Sequence, residues 1–479
     1  MLPLLKIVFT VLVTAAAFFS AGHALLHKRD PRSALGWVAV CFALPIVGPL
    51  FYWLLGVNRI RTRARDWQAQ LRDSRTVAPA GYCSWSSRRQ ESITLRDENY
   101  ASLLALADKV TRRPLQAGNR VALLHNGEDV YPAMLEAIRG ARESVYLSTY
   151  IYDTDSSGRA LAYVLIAAAE RGLDVRVLID GLGELYSLPL ARSLFRHSPV
   201  HFARFLPPSL SGRGLHFNLR NHRKLLIVDS QKGFTGGMNI GDRHLAGLSG
   251  RRQALDIHFQ VEGPVVGQML EAFMEDWQFV TGDVFPSIPY RPPLPGGEAL
   301  CRGISAGPNE DFEKLRWIYL GAINCALRRI RIMTPYFIPD RTLMAALNAA
   351  ALRGAEVILL LPAKSNLPYV SWASRAYYRE LIEYGVRLYL QPPPFVHSKL
   401  ALIDEQYVLI GSANLDPRSL RLNFEFNLEV YDRGLNQTLA DYFDKACERS
   451  SLVSLDELNR QGLAGQVRDG VAKLFSPYL

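Results

Sequence analysis

Two long apolar segments open the chain. Residues 7–26 and residues 34–56 contain no Asp, Glu, Lys or Arg. Each is close to the ~20 residues that span a bilayer as a helix, so the pattern predicts a membrane hairpin over residues 1–58. The second segment contains helix-breaking residues, which predict a kinked or re-entrant path rather than a straight crossing: Pro45, Gly48 and Pro49.

A cleaved signal peptide is the alternative for the first segment. Lys6 would be its charged start and Gly22-His23-Ala24 its cleavage site. The second apolar segment follows at once and favours the hairpin. A hairpin places residue 1 and the body on one side of the membrane, where Lys6 and four arginines outnumber three basic residues in the link. By the positive-inside rule this count predicts a cytoplasmic body. The four arginines are Arg59, Arg61, Arg63 and Arg65, and the three basic residues of the link are Lys28, Arg29 and Arg32.

The rest of the chain alternates between strand-like and helix-like patterns. Residues 143–180 and residues 328–362 each read as a β-branched run, an alanine-rich helical stretch and a second apolar run. Residues 221–239 align without gaps on residues 396–414, at a constant offset of 175. Repeated β-α-β patterns predict an α/β fold with parallel strands, built from two duplicated halves.

The repeat and a Pro-rich interval divide the chain into six parts. We predict a membrane hairpin (1–58), a connecting segment (59–110), a first α/β half (111–282), a Pro-rich linker (283–298), a second α/β half (299–450) and a helical tail (451–479).

Composition narrows the class of protein. The 479 residues are 49% apolar and 21% charged, which excludes a mainly disordered chain and a polytopic transporter. Lys and Arg exceed Asp and Glu by 55 to 45, which indicates an anionic partner or else ordinary surface charge. The five cysteines lie far apart and form no C-x-x-C pair, so neither a disulfide framework nor a zinc site is expected.

Each half carries the same pattern, H-x-K-x4-D. The two sets are His222, Lys224 and Asp229, and His397, Lys399 and Asp404. On a strand, residues two apart share a face, so each histidine should project beside its lysine. Each aspartate comes seven positions after its histidine, an odd number, which predicts a structural acid on the turn side.

A Gly-rich turn ending in Asn follows each pattern. Asn239 and Asn414 both come 17 residues after their histidine. A lysine can offset phosphate charge, an amide can donate to the same oxygens, and one neutral and one protonated histidine can attack phosphorus and protonate the leaving oxygen. The alternative for one copy is an ordinary surface strand, but two matched copies favour phosphoryl chemistry.

A carboxylate follows on a strand-like run in each half. Leu255-Asp256-Ile257-His258 aligns with Phe424-Glu425-Phe426-Asn427. A carboxylate bonded to one ring nitrogen of a histidine fixes its tautomer and frees the other nitrogen. The alternative for Asp256 and Glu425 is a buried strand acid in an ion pair.

These motifs resemble the phospholipase D superfamily, which is defined by two H-x-K-x4-D elements, and within it the bacterial cardiolipin synthases. The resemblance covers nearly the whole chain. It rests on RDPRSALGW and LPIVGPLFYWLLG (29–56), FNLRNHRKLLIVD, FTGGMNIGDR, VHSKLALID, IGSANLDPRSLRLNFEFN and the final LFSPYL. It implies two phospholipase D-like halves related by a pseudo-two-fold axis, in a multi-pass protein of the bacterial inner membrane.

The resemblance also implies roles for these residues. His222 would be the nucleophile and His397 the general acid and base, with the two H-x-K-x4-D elements, including Asp229 and Asp404, as the catalytic motifs. Lys224, Lys399, Asn239 and Asn414 would hold phosphate, and Asp256 and Glu425 would orient His222 and His397. Two departures from relatives are Ala254-Leu255, where Trp-Arg is common, and Gly237, where the second half has Ser412.

The implied reaction is phosphatidyl transfer between two phosphatidylglycerol molecules, giving cardiolipin and glycerol with no cofactor and no metal. Phosphatidylglycerol and an anionic bilayer would be the partners. The loop 205–220 would line the lipid entrance, or would be a plain surface loop. Rival functions are a hydrolase of the same superfamily, a membrane-tethered nuclease and a non-enzymatic scaffold. No nucleic acid is expected as a partner, because no nucleic-acid-binding motif is present.

Overall fold

The computed structural model describes seven stretches of the chain: residues 2–28, 31–56, 98–208, 219–248, 253–283, 296–307 and 313–476. They fall into two compact units, one within residues 1–76 and one within residues 77–479. Several predicted features lie outside the described residues: Arg29, the arginines from Arg59 to Arg65, most of the connecting segment, residues 284–295 of the linker, residues 209–218 of the proposed entrance loop, and the last three residues.

The N-terminal unit begins with one long helix, followed by a broken one. Helix α1 (Leu2–His27) is apolar and long enough to cross a membrane, and it alone meets that test among the described residues. The second apolar segment forms α2 (Pro31–Ala43), α3 (Val47–Phe51) and one π-helical turn (Tyr52–Gly56). The interruption between α2 and α3 includes Pro45, one of the predicted helix-breaking residues.

The return segment packs back on α1. Gly48 allows the turn, since a Cβ there would lie 2.3 Å from the carbonyl oxygen of Val40. The Tyr52 hydroxyl lies 2.7 Å from Nδ1 of His23, and Trp53 donates to the Ser20 hydroxyl at 3.0 Å. The two apolar segments therefore pack against each other, while of the described helices α1 alone is long enough to span a bilayer.

The body is built around one sheet of 15 strands. Its strands, and the two strands of a small separate sheet (β7 and β13), are β1 (Gln116–His125), β2 (Ser144–Thr149), β3 (Asp174–Asp180), β4 (His201–Phe205), β5 (Leu225–Val228), β6 (Lys232–Gly236), β7 (Ala254–Leu255), β8 (Ile257–Glu262), β9 (Ala299–Ala306), β10 (Arg329–Met333), β11 (Glu356–Pro362), β12 (Arg387–Gln391), β13 (Phe395–Val396), β14 (Leu400–Ile403), β15 (Tyr407–Gly411), β16 (Glu425–Tyr431) and β17 (Ser451–Leu452).

Helices cover the sheet. They are α4 (Ala101–Thr111), α5 (Asn126–Arg139), α6 (Ser156–Glu170), α7 (Arg192–Phe195), α8 (Val265–Thr281), α9 (Lys314–Cys325), α10 (Arg341–Leu352), α11 (Pro368–Arg375), α12 (Tyr378–Glu383), α13 (Pro417–Arg421), α14 (Arg433–Glu448), α15 (Leu455–Asn459) and α16 (Leu463–Leu474).

The strand order shows the duplication. From one edge to the centre it runs β4-β3-β2-β5-β6-β8-β1, and from the other edge β17-β12-β11-β10-β14-β15-β16-β9. Apart from β17, the two series correspond strand for strand. Strands β1 and β9 pair antiparallel at the centre, which joins the two halves into one sheet. The α/β duplication predicted from the sequence is confirmed.

The predicted β-α-β units form as expected. In the first half, β2 and β3 pair in parallel through α6, and in the second half β10 and β11 do so through α10. The crossover helices start at equivalent caps, because the carboxylates of Asp155 and Asp340 accept backbone N–H bonds in the first turn. The strands are buried on both faces, which explains their continuous apolar runs.

Candidate active site

Each His-x-Lys segment lies in extended backbone just before a central strand. His222 precedes β5 and His397 precedes β14. The backbone N–H of His222 donates to the carbonyl of Phe424 at 2.9 Å, and that of His397 donates to the carbonyl of Leu255 at 2.8 Å. Each motif is therefore held in place by the other half of the body.

The orienting carboxylates are exchanged between the halves. Nδ1 of His222 lies 3.0 Å from Oε2 of Glu425, and Nδ1 of His397 lies 3.0 Å from Oδ2 of Asp256. Sequence order had matched Asp256 with His222 and Glu425 with His397, and the structure crosses these pairs. With Nδ1–H donating to the carboxylate, Nε2 of each ring keeps its lone pair.

The two lysines lie against their own motifs in different ways. Lys224 Nζ donates to the carbonyl of His222 at 2.7 Å and lies 5.6 Å from the ring centre of Tyr150. Lys399 Nζ donates to the carbonyl of His397 and lies 3.0 Å from both ring nitrogens of that histidine. The ring of His397 is therefore in contact with an ammonium, whereas the Lys224 ammonium faces an aromatic ring.

All these groups form one buried electrostatic cluster. Burial, together with the charge of Lys399, lowers the pKa of Lys224 to about 7 against the opposing effect of Glu425 and Asp256. Burial lowers the pKa of Lys399 to about 8 against the opposing effect of Asp256 and Glu425. Because each lysine responds to carboxylates of both halves, the two motifs share a single site.

The same burial keeps both histidines neutral at pH 7. It lowers the pKa of His222 to about 4, with Glu425 opposing and Lys224 adding to the effect. It lowers the pKa of His397 to about 3, where Lys399 adds to the effect and Asp256 opposes it. Asp256 keeps its charge, because the bond from His397 and the charge of Lys399 overcome desolvation and lower its pKa to about 2.

The two asparagines differ in orientation. Oδ1 of Asn239 accepts the backbone N–H of Ile151 at 3.1 Å, which leaves its amide hydrogens for another acceptor. Burial raises the pKa of the Asp416 carboxyl to about 6, and the hydrogen bond from the Asn414 side chain to this carboxyl opposes the shift. Within the described residues Oδ1 of Asn414 has no hydrogen-bond partner. In this arrangement Asn239 is the better placed phosphate donor.

The two motif aspartates lie at the far end of their strands. Asp229 accepts backbone N–H bonds from residues 142–144 at 2.8–3.2 Å, and Asp404 accepts from residues 327–329 at 2.8–3.0 Å. Both have positive φ, a conformation that Asp tolerates. They bond the turn to the start of β2 and of β10, an arrangement that favours the predicted structural role over the catalytic one that the resemblance implies.

Several site residues were missed by the sequence analysis. Tyr150 lies edge-on to the His222 ring at 5.3 Å, and Tyr336 and Phe395 lie 6.3 Å and 6.0 Å from the His397 ring. An aromatic after β2 and after β10 was visible in the sequence. Nothing in the sequence placed either ring against a histidine more than 60 residues away.

The buried cation Arg223, next to His222, was also missed. It pairs with Asp276 at 2.9 Å and donates to the Ala272 carbonyl at 2.7 Å. Asn221 donates to the same aspartate at 2.8 Å. Asn221 and Arg223, both in the string RNHRK, thus attach the first motif to α8. Asp276 is the partner that the buried charge of Arg223 requires.

The departure at Gly237 has a structural reason. A Cβ at Gly237 would lie 2.4 Å from Oδ2 of Asp256. In the second half, the Ser412 hydroxyl donates to Oε2 of Glu425 at 2.5 Å. Gly237 therefore makes room for the aspartate, and Ser412 supports the longer glutamate. Within the described residues no cluster of three or more His, Cys, Asp or Glu side chains could hold a metal ion.

Comparison with known proteins agrees with the duplicated fold. The family model described as "Cardiolipin synthase, PLD-like domain" matches residues 134–277 and 319–447. The model described as "Phospholipase D-nuclease N-terminal" matches residues 15–56. The two segments of the first match lie one in each half of the sheet.

Relatives match over almost the full length. Cardiolipin synthase A of Pseudomonas putida is 34% identical over 96% of this chain and 95% of its own. Cardiolipin synthase of Geobacillus thermodenitrificans is 31% identical over 98% of this chain and 94% of its own. The crystal structure of phosphatidylserine synthase from Haemophilus influenzae aligns with a TM-score of 0.62 at 17% identity, over 79% of this chain and all of that one, which shows a shared fold. The chain therefore belongs to the phospholipase D-like cardiolipin synthase family.

Proposed function

We propose that this protein is a phosphatidyltransferase that joins two phosphatidylglycerol molecules to give cardiolipin and glycerol. The observation that carries the proposal is the crossed pair of histidines, each bonded to the carboxylate of the other half and next to a buried lysine. Family membership and the names of the full-length relatives support the phosphatidyl group as the one transferred. We assign the two halves to residues 111–282 and 299–450.

The first step forms a phosphatidyl-histidine. Nε2 of one neutral histidine attacks the phosphorus of the first phosphatidylglycerol, forming a P–N bond as the bond to the glycerol oxygen breaks. The second histidine, protonated once the anionic phosphodiester has entered, gives its proton to the departing glycerol. Lys224 and Lys399 offset the charge on the phosphoryl oxygens, and the amide of Asn239 donates to them.

The second step transfers the phosphatidyl group. The second histidine, now neutral, takes the proton from the terminal hydroxyl of another phosphatidylglycerol. The oxygen of that hydroxyl attacks phosphorus, the P–N bond breaks and the first histidine is restored. Atoms and charges balance without a cofactor, because the P–O bond broken in the first step is replaced by the P–O bond formed in the second.

We assign the nucleophile to His222 and the acid and base to His397. Support comes from the lysine contacts. Lys399 Nζ lies 3.0 Å from Nε2 of His397 and so competes for the lone pair that a nucleophile needs. Lys224 instead donates to the backbone carbonyl of His222 and faces Tyr150, which leaves that ring available for attack.

We further propose that the protein is a multi-pass membrane enzyme with its body in the cytoplasm. Helix α1 is long enough to span a bilayer, and the broken second segment folds back beside it. Both lipid substrates lie in the bilayer plane, so a membrane-attached enzyme keeps them within reach.

Product analysis tests the proposal. Full-length protein is reconstituted with phosphatidylglycerol as the sole lipid, and the lipid and water-soluble products are separated. Cardiolipin and glycerol in equal amounts are expected. Phosphatidic acid in place of cardiolipin would identify a hydrolase. Cleavage of added DNA without a lipid product would identify a nuclease. A His222→Ala protein prepared in parallel controls for contaminating activity.

A further inference from the structure

Two loops of the body present apolar side chains to solvent at equivalent positions of the two halves. The first, residues 182–190, follows β3, and the second, residues 363–369, follows β11. We refer to them together as the rim loops. In the first rim loop Leu188 is 84% exposed, Tyr186 55% and Leu185 53%; in the second, Tyr369 is 45% exposed. Large apolar side chains grouped in this way mark an interaction surface.

The first rim loop is connected directly to the catalytic cluster. Tyr186 bonds to the Tyr150 side chain, and the two ring centres lie 6.2 Å apart. Tyr150 in turn contacts His222 at 5.3 Å. One aromatic ring therefore separates an exposed rim residue from the proposed nucleophile.

The second rim loop reaches the other histidine in the same way. The Tyr336 hydroxyl donates to Oδ1 of Asn366, within this loop, at 2.7 Å, and the Tyr336 ring lies 6.3 Å from that of His397. Burial raises the pKa of Tyr336, and the nearby hydroxyls of Tyr369 and Tyr186 raise it further. Tyr186 and Tyr369, one from each half, therefore both lie near Tyr336, whose ring is close to that of His397.

Basic side chains flank the apolar ones. Arg192 and Arg196 follow the first rim loop, and Lys364 lies in the second; all three are exposed. Tyrosine rings with apolar neighbours and nearby cations suit the boundary between lipid headgroups and acyl chains, where a ring is half in each phase and a cation meets anionic phosphates.

We propose that the rim loops are a membrane-contacting surface, in which Leu185, Tyr186, Leu188 and Tyr369 enter the headgroup region of an anionic bilayer around the mouth of the active site. This inference rests on the proposed function, since a lipid substrate would pass from the bilayer to the histidines without crossing water. The occupant is the lipid surface itself, and a second copy of the chain is the alternative that the test excludes.

Fluorescence in bilayers tests the surface without requiring turnover. Leu188→Cys is labelled with an environment-sensitive dye in full-length protein whose native cysteines are replaced, then reconstituted in phosphatidylglycerol bilayers. Leu352→Cys is the matched control, because Leu352 is 69% exposed on α10 and lies outside the rim loops. We expect blue-shifted emission at 188, quenched by lipids brominated on the acyl chain, and neither effect at 352. Equal behaviour at both positions overturns the proposal, as does a shift at 188 that depends on protein concentration and ignores brominated lipid.

A kinetic experiment separates this surface from the catalytic chemistry. The double variant Leu185→Ser, Leu188→Ser is expected to raise KM for long-chain phosphatidylglycerol in vesicles several-fold. It should leave kcat/KM for monomeric short-chain phosphatidylglycerol unchanged. A wild-type protein that makes no cardiolipin would refute the proposed function, and the dye result would still stand. An active enzyme whose double variant matches wild type on vesicles would refute the surface alone.

Discussion

At the level of single residues, the two histidines are related by the duplication but differ in their surroundings. The His222 ring faces Tyr150 and is held by a glutamate, whereas the His397 ring contacts Lys399 and is held by an aspartate. Near-identical motifs therefore have different chemical environments. A reaction that needs one nucleophile and one acid at the same moment requires such a difference.

Removing either histidine should abolish phosphatidyl transfer. His222→Ala and His397→Ala are each expected to lower the rate of cardiolipin formation by at least about 100-fold, because each step needs both rings. The measurement is cardiolipin formed from phosphatidylglycerol, with His201→Ala, an exposed histidine on β4, as the control. Near-normal turnover by either catalytic variant would contradict the two-histidine mechanism.

The close approach at Gly237 predicts a strong effect from one added methyl group. In Gly237→Ala the Cβ would stand 2.4 Å from Oδ2 of Asp256, so the carboxylate must move away from His397. We expect kcat to fall by roughly 10–100-fold, in line with the loss of a group that orients a reacting ligand. Gly470→Ala is the control, since Gly470 has open space around it and no positive φ. A wild-type kcat in Gly237→Ala would show that the position of Asp256 does not matter.

The pKa values of the two lysines predict how activity depends on pH. With values of about 7 and about 8, Lys224 and Lys399 lose their charge as the pH rises through this range, whereas His222, at about 4, stays neutral. A profile of kcat/KM, which reports the free enzyme, should therefore begin to decline at a pH of about 7 and fall further above about 8. Lys399→Arg keeps its charge and should show a weaker decline. A flat wild-type profile on the alkaline side would count against charged lysines as the phosphate-binding groups.

At the level of elements, the motif aspartates join turns to strands. Asp229 accepts three successive backbone N–H groups ahead of β2, and Asp404 does the same ahead of β10. The spacing from lysine to aspartate in the motif therefore reflects strand length: β5 and β14 begin directly after Lys224 and Lys399 and end directly before these aspartates.

Loss of one of these aspartates should affect stability more than chemistry. In Asp229→Ala the N–H groups of residues 142–144 lose their acceptor, which is expected to cost roughly 1–3 kcal/mol. Thermal unfolding would show a Tm lowered by several degrees, while kcat per folded molecule stays within a few-fold of wild type. Asp441→Ala, an exposed aspartate on α14, is the control. Full stability together with lost activity would restore Asp229 to the catalytic residues.

At the level of the whole molecule, the crossed carboxylates make the two halves depend on each other. Glu425 in the second half holds His222, the proposed nucleophile in the first, and Asp256 in the first half holds His397, the proposed acid in the second. Strands β1 and β9 pair at the centre of the sheet and fix the halves in this arrangement.

The exchange of Asp256 and Glu425 between the halves can be tested with a substrate whose leaving group needs no proton. Glu425→Gln weakens the nucleophile, so it should slow both phosphatidylglycerol and a phosphatidyl p-nitrophenol ester. Asp256→Asn weakens the acid, so it should slow phosphatidylglycerol yet release p-nitrophenol in a near-normal burst, because that leaving group needs no proton. The reverse pattern would exchange the roles of His222 and His397.

The sequence by itself determined the strands, the duplication, the two His-x-Lys pairs and the apolar segments of the hairpin. These follow from periodicity and local chemistry, which act over a few neighbouring residues. The tertiary structure alone decided that Asp256 serves His397, that Gly237 makes room for that aspartate and that Tyr150 and Tyr336 lie against the histidines. Such contacts join residues far apart in the chain, and the fold of each half and the pairing between the halves, β1 with β9 and β7 with β13, bring them together.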